Sequence, residues 1–230
     1  MLYLQHQIYG KDESKKENLI KSYIEWKEKK TKEKKSPEFL FNVAELCQND
    51  SIKAVVTYNY DEFLSILINS NSIRKAEDVF HFQQQKSVAH DKLLIYHVHG
   101  FIPGPQSIIK QNPENIVLAY DEYFQNMLEP FSWQTTTQLH FLMNYTCLFL
   151  GTSLNDINML RILSYAKKYS RASNHYVIFK EENAKNNETI SSALNLIHSS
   201  VLEEVGIQKI IAGDEYYHIY EMVKKINDIN

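Results

Sequence analysis

An amide, a carboxylate and an imidazole stand at the ends of two short stretches of this sequence. These are Ala54-Val55-Val56-Thr57-Tyr58-Asn59-Tyr60-Asp61 and Tyr96-His97-Val98-His99-Gly100. Each begins as an apolar or β-branched run and ends abruptly in polar residues. A strand of an open parallel sheet delivers side chains in this way to the crevice beyond its carboxyl end. In extended backbone Asn59 and Asp61 point the same way, while Tyr58 and Tyr60 point into the opposite packing layer. His99 joins them from the next strand. An imidazole, with an ordinary pKa of about 6.5, can take a proton from water or a hydroxyl. Plainer uses compete: Asp61 can cap the following helix, and a carboxylate can do both. Asn59 suits a turn. His97, on the same strand face as His99, reads as a hydrogen-bonded core residue. Gly100 lets the chain turn sharply and leaves space beside the His99 ring, which favours His99 as the catalytic imidazole.

A third stretch, Phe149-Leu150-Gly151-Thr152-Ser153-Leu154-Asn155-Asp156, follows a strand expected over Cys147 to Leu150. Alone it is an ordinary strand-to-helix turn. Ser153 or Asn155 would then cap the helix that carries Ile157, Leu160, Ile162 and Leu163, and Arg161 would face a phosphate or pair with an acid. In order and position, however, the three stretches together resemble the sirtuin-like superfamily of nicotinamide adenine dinucleotide (NAD) users, from about Ile52 to the C-terminus. The matching residues are Thr57, Asn59 and Asp61; His99 and Gly100; and Gly151, Thr152, Ser153 and Leu154.

The resemblance implies that Asn59, His99 and Asp61 are the catalytic groups at the nicotinamide ribose. It implies cofactor-binding roles for Thr57, Gly100, Gly151, Thr152, Ser153 and Leu154, the last four on the phosphate and adenosine side. A glycine that admits a phosphate or ribose, followed by two hydroxyl donors, suits that half. Lys180 stands where sirtuin deacetylases carry an adenosine-contacting Asn. Those deacetylases also carry a four-cysteine zinc ribbon, which two cysteines cannot build. The resemblance therefore runs to the zinc-free bacterial branch, whose members hydrolyse NAD as effectors of anti-phage defence. It implies NAD as substrate, no metal, and as partners further copies of the chain or a protein of the same defence system. The alternative is an inactive or weak dinucleotide-binding assembly module. It is favoured by the missing Gly-x-Gly phosphate loop, since only Gly10 precedes Gly100. The opening glycine-rich strand–helix unit is expected to lie outside the chain.

The elements that must position these groups follow from periodicity. Residues 1–50 are expected as an N-terminal helical segment, with helices over Glu17 to Lys35 and Phe39 to Gln48, the second capped by Ser36-Pro37-Glu38. Residues 51–230 are expected as a Rossmann-like α/β domain, a parallel sheet flanked by helices with a helical elaboration. After the Asp61 helix (Glu62 to Asn69), the stretch from Phe80 to Lys92 is polar and reads as irregular. Leu93 to Val98 is a strand, Phe101 to Asn115 a proline-rich loop, and Ile116 to Leu118 a short strand. Ala119 to Tyr123 opens a helix, Pro130 breaks it, and Met127, Leu128, Phe131, Trp133, Leu139, Phe141 and Leu142 are core candidates. Strands are expected at His175 to Phe179 and Ile207 to Ile211, and helices at Ile190 to Val205 and Tyr216 to Ile226.

Composition narrows the function classes. A formal net charge of −3 over 230 residues gives no field that draws the molecule to nucleic acid or anionic membrane. The lysines between Lys27 and Lys35 have no interleaved aromatic rings for base stacking, so they read as a solvated helix end. No apolar run has the length of a membrane span. Cys47 and Cys147, without Cys-x-x-Cys spacing or a secretory leader, fit a reducing cytoplasm.

Overall fold

The computed structural model describes residues 38–70, 73–81, 91–103, 116–117, 123–124, 128–170, 174–181 and 188–228, with Asn18, Lys21, Ser22 and Glu25. The chain divides into two compact units at Thr135/Thr136. The expectation of a parallel α/β architecture holds, realised as one three-stranded parallel sheet in each unit.

In the first unit α1 (Glu38–Leu46) leads to β1 (Ala54–Thr57), α2 (Phe63–Ser70), β2 (Ala76–Val79) and β3 (Leu93–His97). The sheet order is β1-β3-β2, so β3 is the central strand. It is correspondingly the most apolar of the three, and Leu93, Ile95, Tyr96 and His97 are buried. Ala44 and Cys47 pack with Ile68, Ala76, Leu93 and Ile95, which joins the α1 region to the sheet through a shared apolar cluster. Two polar side chains tie the connections. Arg74 Nη1 donates to the carbonyls of Cys47, Asn49 and Ile52, at 3.3, 2.9 and 2.8 Å. Asn69 imitates a strand edge at the start of β2, donating to the Ala76 carbonyl and accepting from its N–H.

The second strand was not legible as one. Ala-Glu-Asp-Val carries two acids in four residues, and it is a strand because β3 offers it a partner along its whole length, Ala76↔Leu93 to Val79↔Tyr96. Ile116 and Val117 are buried but not in strand conformation, and Val117 is joined to the unit by hydrogen bonds to the His99 carbonyl and from the Tyr60 hydroxyl. Of the helix expected over Glu17 to Lys35, Asn18, Lys21, Ser22 and Glu25 are described, each in helical conformation; the Ser36-Pro37 cap, most of the loop before Ile116, Ala119 and Met127 fall outside the described residues.

The boundary falls in the first turn of α3 (Trp133–Asn144), and the second unit continues with β4 (Leu148–Phe149), α4 (Ile157–Tyr169), β5 (His175–Phe179), α5 (Glu188–Glu204), β6 (Ile207–Ile211) and α6 (Tyr216–Asp228). Its sheet order, β4-β5-β6, follows the chain, each strand returning by a helix. Pro130 lies in a non-helical turn, as expected. Two core candidates beside it are corrected: Leu128, at a helical position, is 76 % exposed and Phe131, in the turn itself, 90 % exposed. Ile157 is also exposed, at the mouth of α4, whereas Met159, Ile162, Leu163 and Ala166 form that helix's buried stripe. β4 is shorter and less buried than the expected four-residue strand. Gly206, at φ 83°, makes the left-handed turn from α5 into β6, and Lys167 Nζ reaches from α4 to bond the Glu203 and Glu204 carbonyls beside it.

Candidate active site

The strand tips of the first unit are braced from several sides. Thr57 and His97 form the last register pair of β1 and β3, so Asn59 and His99 each lie two residues beyond it on adjoining parallel strands. The Val98 N–H donates to the Thr57 carbonyl (3.2 Å), and the Ile102 N–H to the Tyr60 carbonyl (2.7 Å). Between them, His97 Nδ1 lies 2.9 Å from the Asn59 carbonyl. Three carbonyls in four residues of the β1 tip are thus held by the β3 tip. Val117 adds a third segment: its N–H donates to the His99 carbonyl (2.8 Å), and its carbonyl accepts from the buried Tyr60 hydroxyl (2.6 Å).

Asn59 is held by its backbone and exposed at its side chain. Its N–H donates to Thr57 Oγ1 at 3.1 Å, so the Thr57 hydroxyl supports the turn. Among the described residues, the Asn59 side-chain amide has no hydrogen-bond partner. Asp61 caps α2: its Oδ1 accepts from the Phe63 N–H at 3.1 Å. The structural use foreseen for this carboxylate is therefore real, and the residue is only half-buried. Gly100 has φ 101°, a left-handed backbone that favours glycine, and its N–H closes a turn onto the His97 carbonyl.

Strict strand alternation fails at this tip. β1 ends at Thr57 and β3 at His97, so neither Tyr58 nor His99 obeys it. Tyr60 does turn inward, but Tyr58 packs edge-on against His99, ring centroids 4.4 Å apart. His99 is half-buried against that ring, and His97 is sealed at 1 % exposure. His97 is the hydrogen-bonded core histidine expected. Its second partner, Asp78, was not foreseen: His97 Nε2 lies 2.8 Å from Asp78 Oδ1, and Asp78 Oδ2 accepts from Ser65 Oγ at 2.5 Å. Asp78 pairs in register with Ile95, which shares a sheet face with His97, so this reach follows from strand geometry. The signal in the sequence was a pair of acids, Glu77 and Asp78, inside an apolar-ended tetrapeptide, Ala76 to Val79.

In the second unit, Gly151 adopts φ 67° after β4, and Gly151 and Ser153 are exposed. Thr152 Oγ1 accepts from the Leu154 N–H at 3.3 Å. Leu154 takes a left-handed backbone (φ 52°) with its side chain in the core at 1 % exposure, so any ligand contact it makes runs through its backbone. The cap of α4 is Asp156, bonding the Met159 N–H at 2.8 Å, in place of the expected Ser153 or Asn155. Arg161 donates to Asn158 Oδ1 on its own helix. Lys180 lies over the Tyr216 ring.

Neither cysteine is an activated nucleophile. Burial pushes the Cys47 thiol up to about 12, with the Arg74 guanidinium pulling the other way, and the Cys147 thiol up to about 11. His175 is held neutral, its pKa lowered by burial against the opposing hydrogen bond to Leu142, and its Nδ1 accepts from the Cys147 N–H. Among the described residues no three His, Cys, Asp or Glu side chains cluster as a metal site, and no helix is long and apolar enough to cross a membrane.

The sequence matches no curated protein. The model of the SIR2-like domain matches residues 53–208, a span that begins at β1, takes in all three motif stretches and ends in β6. That span covers well over half of the 230 residues, and it fits an NAD-related function: the chain belongs to the SIR2-like domain family.

Proposed function

We propose that this chain is an NAD hydrolase that releases nicotinamide and ADP-ribose. What supports this reading most is the presentation of Asn59. Its backbone N–H and carbonyl are both hydrogen-bonded, the Thr57 and Tyr60 carbonyls on either side are bonded too, and its amide is exposed at a tip shared with Asp61 and adjoining His99. Cleavage of the nicotinamide–ribose bond builds positive charge on the sugar and expels a neutral base, so it needs no general acid. It does need an oriented carboxamide, a held nucleophile and a proton acceptor. Asp61 orients the nicotinamide end, Asn59 holds the ribose or the attacking water, and His99 accepts the proton. Thr57 and Gly100 shape this end, and the phosphate and adenosine roles of Gly151, Thr152, Ser153 and the Leu154 backbone, in the second unit, rest on the family resemblance. The place of such an activity in antiviral defence, in the cytoplasm and with further copies or a defence partner, rests on resemblance to the zinc-free branch alone.

The second reading is a dinucleotide-binding assembly module without turnover. The glycine-poor first hundred residues, holding only Gly10 and Gly100, favour it. Nicotinamide release from NAD by the wild-type protein, Asn59→Ala and His99→Ala separates the two. Loss of about 100-fold or more in both variants is expected for residues that act on the reacting atoms. Unchanged turnover rejects the site assignment, and binding without turnover selects the module.

A further inference from the structure

We propose that His97 and Asp78 are positioning residues which hold the Asn59 carbonyl, and so aim the Asn59 amide, for the reaction at the β1 tip. This rests on the hydrolysis reading above. The hydrogen bonds run in a closed circuit. The Glu62 carbonyl accepts from Ser65 Oγ, Ser65 meets Asp78 Oδ2, Asp78 Oδ1 meets His97 Nε2, and His97 Nδ1 meets the Asn59 carbonyl. Both ends of the circuit therefore grip residues 59–65, the segment that carries Asn59 and Asp61. A carbonyl can only accept, so His97 Nδ1 carries a proton. Nε2 lies 2.8 Å from Asp78 Oδ1, so the Asp78 carboxyl group fixes the other edge of the ring. His97 is 1 % exposed and the Asp78 side chain 12 %, with Phe101 packed edge-on against the His97 ring at 4.7 Å and Phe80 stacked on Phe101. An apolar pair would fill this volume equally well. What an apolar pair lacks is a donor aimed at one chosen carbonyl, and that carbonyl belongs to the residue with the exposed amide.

Two replacements separate the ring's halves. In His97→Asn the amide nitrogen can take the place of Nδ1 and keep the bond to Asn59. In His97→Gln it takes the place of Nε2, keeps Asp78 and abandons Asn59. With NAD, His97→Gln is expected to turn over at least about tenfold more slowly, with KM changed less than about threefold, and His97→Asn to lose less. In an Asn59→Ala background, His97→Gln should lower the residual rate no further. Equal losses in both variants, or losses that add to that of Asn59→Ala, overturn the proposal in favour of a general packing role. Asp78→Asn, close in shape to the native residue, should reproduce part of the loss in turnover. The readout independent of turnover is the NMR order parameter of the Asn59 backbone amide, expected to fall from about 0.85 to below about 0.6 in His97→Gln and to hold in His97→Asn. An unchanged value in His97→Gln overturns the proposal whatever the rates. A fall in that value together with no nicotinamide release by the wild-type protein leaves the clamp standing and removes the hydrolysis reading instead.

Discussion

Asp61 allows the sharpest separation of structure from chemistry, because its cap and its charge can be removed one at a time. Asp61→Asn keeps a side-chain oxygen at the position that accepts from the Phe63 N–H, and Asn is as good a cap as Asp. What it loses is the interaction of a negative charge with the first turn of α2, about 0.3–1 kcal/mol at a partly exposed helix end. Asp61→Ala loses that and the cap bond itself, a further ~1 kcal/mol. α2 has eight residues, so an orphaned N–H is a large share of its backbone bonding. For a chain of this size each kcal/mol moves the melting temperature by about 2–4 °C. The expected order is wild type, then Asp61→Asn lower by up to a few degrees, then Asp61→Ala lower by several. Turnover should follow a different order. If the carboxylate orients nicotinamide, both variants lose nicotinamide release alike, although one of them is nearly as stable as the wild type. Scanning calorimetry and a nicotinamide assay on the same preparations read both orders. Full turnover in Asp61→Asn would refute the orienting role and leave Asp61 as a cap. A melt as low as that of Asp61→Ala would refute the cap.

Two further outcomes follow from buried hydrogen bonds. Tyr60→Phe removes the donor to the buried Val117 carbonyl and should cost about 1–3 kcal/mol, read as a lower urea midpoint with unchanged slope. His175 has a folded-state pKa below the ordinary 6.5, so the unfolded chain binds its proton first. Its contribution is fully present above pH 6.5 and is lost as pH falls below that value, with a slope of at most ~1.4 kcal/mol per pH unit. His175→Asn puts an amide oxygen where Nδ1 accepts from Cys147, so urea midpoints measured between pH 7.5 and 5.5 should show a flatter acid limb in the variant than in the wild type; an equally steep limb assigns the pH dependence elsewhere.

Legibility in the sequence followed how local each signal was. β6 was read to the residue, since Gly206 marks its start and the run Ile207 to Ile211 is bounded on both sides by turns. The β1 and β3 tips were read from a short-range pattern, apolar run then polar end, and the Asp61 cap from its place before an apolar helix. β2 was missed because what makes Ala76 to Val79 a strand is the ladder supplied by a segment that starts fourteen residues later. Asp78 was missed with it, since a carboxylate's partner across a sheet leaves no trace in spacing. Alternation also misled where it was extended past the last ladder pair. Tyr58 and His99 lie beyond the regular backbone, and the turn closed by Thr57 Oγ1 brings their rings together. The Asp156 cap shows the same limit on a smaller scale: Ser153, Asn155 and Asp156 all suit the role, and only the backbone path after the left-handed Leu154 chooses among them.

The two motif-bearing tips differ in how they are braced, and the difference bears on which of them can carry chemistry. A catalytic group must hold its geometry within a fraction of an ångström, and that requires a supporting set of bonds whose loss costs more than the misplacement gains. The first unit's tip has that set: the Thr57, Asn59 and Tyr60 carbonyls are each bonded to the tip of β3, and Val117 ties both segments together. Among the described residues, the turn after β4 is tied by the bond from Leu154 N–H to Thr152 Oγ1 before the Asp156 cap begins α4. A loop so lightly tied suits contacts that tolerate adjustment, as those to a phosphate or ribose hydroxyl do. The division of labour proposed above, bond cleavage at Asn59, Asp61 and His99 and cofactor binding at Gly151 to Leu154, asks for the firmer support at the first of these tips. A reversed assignment would put the demanding geometry on the turn least able to keep it.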